Sequence, residues 1–420
     1  MENPDTDMMA YLTPFRRPSI EMVPFGSFRL ALPSLALAAL VTLLPAVAWA
    51  QRGKPAETGE LLVYFGTYTG EKSKGIYCSR LDLATGALTP PVLVAETPNP
   101  SFLAVHPGGG FLYAANEVRE FNQQPGGAVS GFAIDRRSGG LTPINQQSSR
   151  GGGAVYLVVD SAGRNVLVAN YGGGSVAVLP IDGDGRLKPA SAFVQHVAPD
   201  PPVTPPIRPR AHSVNLDPAN RFAYVADLGL DQVRIYRFDG GAGSLDAADP
   251  PFASVPRGAG ARHLAFHPTG RYAYLINETN MTVTAFSHDA DRGALTTFQT
   301  ISTLPPGQGV EPGFSTAEIQ VHPSGKFVYG SNRGHNSIAL FTVDGKTGRL
   351  TFVETTPTQG NMPRGFGIDP TGRYLLVGHQ RSDSVVVFRI DGASGRLAPT
   401  GHVLDVGSPV SVKFVEPVRP

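Results

Sequence analysis

The chain has 420 residues, of which 49 are Gly and 38 are Pro, with 16% charged residues and a formal net charge of +1. Turn-forming residues make up about a fifth of it, which excludes long helical arrays, and an apolar share of 41% excludes a disordered polymer. The balanced charge argues against duplex nucleic acid as a partner, and the single cysteine, Cys78, excludes a disulfide framework.

In chain order, residues 1–50 read as a secretory signal peptide. Leu30–Ala50 is apolar, is interrupted by Pro33 and Pro45, and ends in Ala48-Trp49-Ala50, a small-x-small cleavage pattern. The two prolines and the missing basic stop-transfer cluster disfavour a spanning helix. Met22 would give a more ordinary charged region than Met1. The expectation is cleavage after Ala50, a short linker at 51–60 and a periplasmic or secreted mature chain.

Residues 61–417 are repetitive. One motif joins an apolar residue and Asp to a Gly-bearing turn and Leu, as in Ile134-Asp135…Gly140-Leu141 and Val343-Asp344…Gly348-Arg349-Leu350. Another joins His or Asp and Pro or Ser to an apolar run ending in Asn, as in His106-Pro107…Tyr113-Ala114-Ala115-Asn116 and His267-Pro268…Leu275-Ile276-Asn277. The period of 47 to 57 residues suits four-stranded propeller blades. About seven copies predict an all-β, seven-bladed propeller. Its last blade is split, with Val410–Val415 entering the sheet of Leu61–Thr67 and removing the open edge.

In such a blade the start of the first strand and the end of the second share one rim. There the repeats differ: Arg262, His263, Glu318, Arg364 and His212 stand at strand starts, and Tyr68, Glu117, Tyr171, Glu278 and Arg333 follow strand ends. A purely structural repeat keeps one residue type per position, so this variation marks a site. His106, His267 and His322 occupy the repeated turn and read as structural. Asp182-Gly183-Asp184-Gly185 lacks the twelfth-position Glu of a calcium loop, and no HExxH, GxSxG or GKS/T motif occurs. No metal or cofactor is expected.

The segments Arg210-Ala211-His212-Ser213-Val214, Ala261-Arg262-His263-Leu264, Ile276-Asn277-Glu278, Ser315-Thr316-Ala317-Glu318-Ile319 and Ser331-Asn332-Arg333-Gly334 resemble the propeller lactonase family, known for 6-phosphogluconolactonase and including fungal carboxymuconate cyclase. The resemblance spans Leu61 to Val415. Ala261 stands where the family usually has Pro, and Gly365 where it often has His. It implies that His212, Arg262, Glu278 and Arg333 carry the chemistry. Tyr68, Glu117, Tyr171, Asp227, His263, Glu318 and Arg364 would bind substrate, with Arg208 from the Pro-rich loop 196–210. Lactone hydrolysis needs a base for water, here Glu278 or His212, and a cation for the oxyanion, here Arg262 with Arg333. These strand ends are expected to face a water-filled channel. The expected function is opening of a sugar lactone, with 6-phosphogluconolactone the family default. The alternatives are a carboxy-cis,cis-muconate cycloisomerase and a non-catalytic exported binding propeller. The expected partner is a small lactone bound by a monomer, with no nucleic acid and, after signal removal, no membrane.

Overall fold

Apolar and polar residues alternate along each repeat and a Gly-bearing turn ends every run, so each repeat folds into an antiparallel meander. The computed structural model describes residues 59–198 and 206–418. The signal peptide read at 1–50 and the linker up to residue 58 lie outside them. Every regular element among the described residues is a strand, and the strands form seven four-stranded sheets and one small hairpin, Glu120–Phe121 with Gln124–Pro125.

Blades 2 to 7 begin with Pro100–Val105, Ala154–Val159, Ala211–Leu216, Ala261–Phe266, Ser315–Val321 and Pro363–Ile368. These innermost strands neighbour one another around the ring. In blade 1 the innermost place belongs to Pro409–Val415, which pairs antiparallel with Glu60–Thr67, Leu62 opposite Val415 and Phe65 opposite Val412. Both ends of the propeller therefore close one sheet.

The core is divided among the blade junctions rather than gathered in one place. Seven apolar clusters each span two neighbouring blades; that of Val63, Phe65, Leu376 and Val387 joins blade 1 to blade 7. Both sequence motifs act across these junctions. Tyr64, Tyr113, Tyr224, Tyr274 and Tyr329 each donate a hydroxyl hydrogen bond to the carbonyl of Gly139, Gly185, Gly293, Gly348 or Gly395 in the next blade. The rings of His106, His267 and His322 do the same through Nε2 to Gly163, Gly325 and Gly372. Gly163 has φ +69°, and a Cβ there would stand 2.2 Å from His106 Nε2, so the turn admits only glycine. The repeated histidines are inter-blade staples.

Candidate active site

Every innermost strand carries a bulge near the same rim. Its register with the second strand shifts around Ser101, Val155, His212, Arg262, Ala317–Glu318 and Arg364. The closing strand shifts at the matching place, between the partners of Gly66 and Thr67. A bulge leaves one residue unpaired and re-aims its side chain. The repeat thus supplies seven adjustable positions around one mouth, and this chain fills three of them with His212, Arg262 and Arg364.

Glu278 is the hub. Its Oε2 accepts from Arg262 Nε at 2.8 Å and lies 3.1 Å from Arg333 Nη2 and 3.9 Å from His212 Nε2. Arg333 also donates through Nε and Nη2 to the carbonyl of Thr316, at 3.1 and 2.7 Å. Glu278 Oε1, Arg262 Nη2 and Arg333 Nη1 make no hydrogen bond to a described residue. Arg262 is only 1% exposed, so it does not face open channel water as its strand-end position suggested. It is a buried ion-pair partner.

Burial pushes the Glu278 carboxyl up, but Arg262, Arg333 and Arg364 outweigh it and hold the group below the usual glutamate range. Burial, aided by the Arg364 and Arg333 charges, lowers Arg262 to about 9. Burial and then the Arg262 charge keep His212 well below its ordinary value, so its ring is neutral at pH 7, with Nδ1 unpartnered.

Arg364 differs from the other two arginines. It lies over the Tyr68 ring at 5.4 Å from the centroid and makes no ion pair or hydrogen bond with a described residue. Burial alone would lower its pKa; Tyr68, Glu117, Glu278 and Tyr171 more than offset that. Tyr68 donates to Glu117 Oε2 at 2.6 Å, and burial raises its phenol to about 12. Tyr171 packs its edge on His212 at 5.1 Å and accepts from Arg210 Nη1 at 2.7 Å.

The remaining expected residues are placed differently. Asp227 is fully buried and is no ligand-facing group: its carboxylate lies 2.6 Å from His196 Nδ1 and accepts from the backbone N–H groups of Arg210 and Leu230. With its oxygens spent on protein donors, it fastens the loop before His212. His263 and Glu318 lie beneath the rim, 4% and 6% exposed. Arg208 is exposed on the loop and is not gathered with the cluster.

The match to known proteins agrees with this geometry. Residues 62–414 match the family model described as Lactonase, 7-bladed beta-propeller. The chain belongs to this lactonase family. It is similar to the 6-phosphogluconolactonase of Bacillus subtilis, 35% identical over 73% of this chain and 84% of that one. The 6-phosphogluconolactonase of Formosa agariphila is 30% identical over 73% and 86%. Among solved structures, the periplasmic gluconolactonase of Pseudomonas aeruginosa is 35% identical with a TM-score of 0.79, covering 86% of this chain and all of that one. The protein is therefore an enzyme of lactonase type.

The lactonase site also explains one departure from the family pattern. A Cβ at Gly365 would stand 2.0 Å from the Val410 carbonyl oxygen of the closing strand, so no histidine fits there without moving that strand. Sequence reading missed Lys413, whose Nζ lies 4.6 Å over the Phe102 ring, and His196, the partner of Asp227. Lys413 was detectable in principle: it is the one charged residue of the closing strand.

Proposed function

We propose that this lactonase is exported and opens the ring of an anionic sugar lactone, with 6-phosphogluconolactone as the first candidate. The observation that carries the reading is Arg364, a guanidinium at the mouth that no carboxylate of a described residue meets within ion-pair distance, beside Arg262 and Arg333, which Glu278 already engages. A planar fork of this kind suits a phosphate or carboxylate. Export is supported by the Ala48-Trp49-Ala50 pattern and by the periplasmic location in the name of the Pseudomonas relative.

In this mechanism water bound to Glu278 Oε1 attacks the lactone carbonyl. Arg262 and Arg333 keep the carboxylate ionised, so it orients the water and accepts its proton as the new C–O bond forms. Arg333, the more open of the two arginines, holds the oxyanion, and the buried Arg262 keeps Glu278 in place. The ring C–O bond then breaks and the leaving alkoxide takes the proton from Glu278, which the neutral His212, 3.9 Å away, can help relay. A carboxylic acid and an alcohol result, and water is the only co-substrate.

The test is a panel of phosphorylated, carboxylated and uncharged lactones given to the mature chain and to Arg364→Ala. We expect anionic lactones to be preferred, and Arg364→Ala to raise their KM about tenfold or more while sparing uncharged ones. Equal KM changes for charged and uncharged substrates would refute the anion anchor. Carboxymuconolactone belongs on the panel, where its reversible closure would identify a cycloisomerase.

A further inference from the structure

Glu278 holds only one side of Arg262. On the other, Nη1 donates to the Ala317 carbonyl at 2.6 Å and stands 3.1 Å from His263 Nε2. A guanidinium has no acceptor atom, so Nε2 must be the bare nitrogen of this ring. The neutral imidazole then carries its proton on Nδ1, which lies 3.3 Å from Glu318 Oε1. The angle is too oblique for a full hydrogen bond, so the contact is electrostatic at this ring orientation.

Glu318 is itself fixed. It sits in the bulge opposite Ser331, its N–H donates to Ser331 Oγ at 2.9 Å, and its Oε1 accepts from the Ile319 N–H at 3.0 Å. Neither Glu318 nor His263 is open to solvent, and both pack in the same buried layer as Arg262. A line of contacts therefore runs from a buried carboxylate through an imidazole to the arginine that grips Glu278.

We infer that Glu318 and His263 are positioning residues that act through Arg262. The carboxylate holds the ring in its Nδ1–H form, and the bare Nε2 fixes the guanidinium plane against Glu278. The kinetic part of this inference rests on the lactonase mechanism above; the tautomer does not. The groups facing Glu318 are His263 and Arg262 from blade 5, Lys413 from the closing strand and Tyr156 from blade 3. Burial raises the Glu318 carboxyl to about 7, against the pull of Lys413 and Arg262, so it exchanges a proton near neutrality. Its ionised form attracts the Nδ1 proton more strongly and makes Nε2 the better acceptor.

The test combines kinetics with a measurement that needs no turnover. Glu318→Ala is expected to lower kcat about ten- to a hundredfold with KM nearly unchanged, the scale of a misplaced catalytic group. Glu318→Gln keeps an oxygen for the same two N–H groups and should hold the rate near the wild type's low-pH plateau, above that of Glu318→Ala. The wild-type kcat/KM should rise through an inflection near pH 7, and that inflection should vanish in Glu318→Gln. In an Arg262→Ala background, Glu318→Ala should add no further loss. Nitrogen NMR of histidine-labelled protein should place the His263 proton on Nδ1. A proton on Nε2, multiplying losses in the double variant, or an unchanged inflection in Glu318→Gln would each overturn the inference. If Glu318→Ala does not fold, the Gln variant and the tautomer decide. A wild type that opens no lactone refutes the functional reading instead, and the tautomer alone then decides the positioning claim.

Discussion

Arg262 and Arg364 occupy equivalent bulges two blades apart, yet their electrostatic situations are opposite. Arg262 is buried and bonded to Glu278, Ala317 and His263, whereas Arg364 rests on the Tyr68 ring and feels the Glu117 and Glu278 charges without bonding to either. Removing Arg262 leaves Glu278 with Arg333 but takes the partner from the buried Ala317 carbonyl and His263 Nε2, at a cost of about 1–3 kcal/mol for each group left unsatisfied. We therefore expect Arg262→Ala to lower the melting temperature and to cut turnover about a hundredfold or more. Arg364→Ala should change KM and leave melting unaltered; identical melting curves for both variants would contradict the burial difference. The pH dependence has a definite sign as well. Because the arginines hold Glu278 below its ordinary value of 4.5, its ion pairs stabilise the fold above that value and are lost as pH falls through the lower, folded value. The acid limb of kcat/KM assigned to Glu278 should therefore lie below pH 4.5, distinct from any inflection near neutrality.

Within a blade, the turn and the bulge divide the labour. The turn carries staples that hold neighbouring blades in register, and the bulge carries chemistry. His106 uses both ring nitrogens: Nδ1 accepts from the Gly108 N–H at 3.0 Å, and Nε2 donates to the Gly163 carbonyl at 3.0 Å. His106→Ala removes both, so a loss of about 1–3 kcal/mol in stability is expected. Specific activity per folded molecule should stay at the wild-type level, because the turn lies at the opposite end of the strand from the mouth. A fall in rate without a fall in melting temperature would place His106 in the site instead. The same separation explains Asp227. It follows the repeat to the end of a second strand, where other blades present site residues, but its blade uses that place to anchor the loop before His212.

At the scale of the whole ring, each blade relies on its neighbours, since every apolar cluster straddles a junction. The junction between blades 1 and 7 includes Val412 of the closing strand, beside Val63, Phe65 and Leu376. Deleting residues 409–420 removes the innermost strand of blade 1, opens a sheet edge and exposes that cluster. We expect the shortened chain to aggregate or to lose its cooperative melting transition, as followed by circular dichroism and gel filtration. Unchanged melting would show that the ring does not depend on this strand. The bulges at the mouth also require closure, because Gly365 in blade 7 packs directly against Val410 of the closing strand.

The sequence by itself determined the number of blades, the joining of both ends in one sheet and the rim on which the repeats diverge. Each of these is periodic, and periodicity survives in one dimension: a strand alternates, a turn needs glycine, and a broken repeat stands out against its copies. Residue types at the rim are legible for the same reason, and His212, Arg262, Glu278 and Arg333 stand out together against the repeat. What each of them does was decided only by the tertiary structure. Glu278 and Arg262 belong to blade 5, Arg333 to blade 6 and Arg364 to blade 7, and no spacing along the chain says which arginine the carboxylate will choose. Ring curvature and the bulges set those distances, leaving Arg364 out of the Glu278 ion pairs and burying Glu318 and His263 beside Arg262. Partner choice among charges is a matter of ångströms across blades, and that information exists only once the ring has closed.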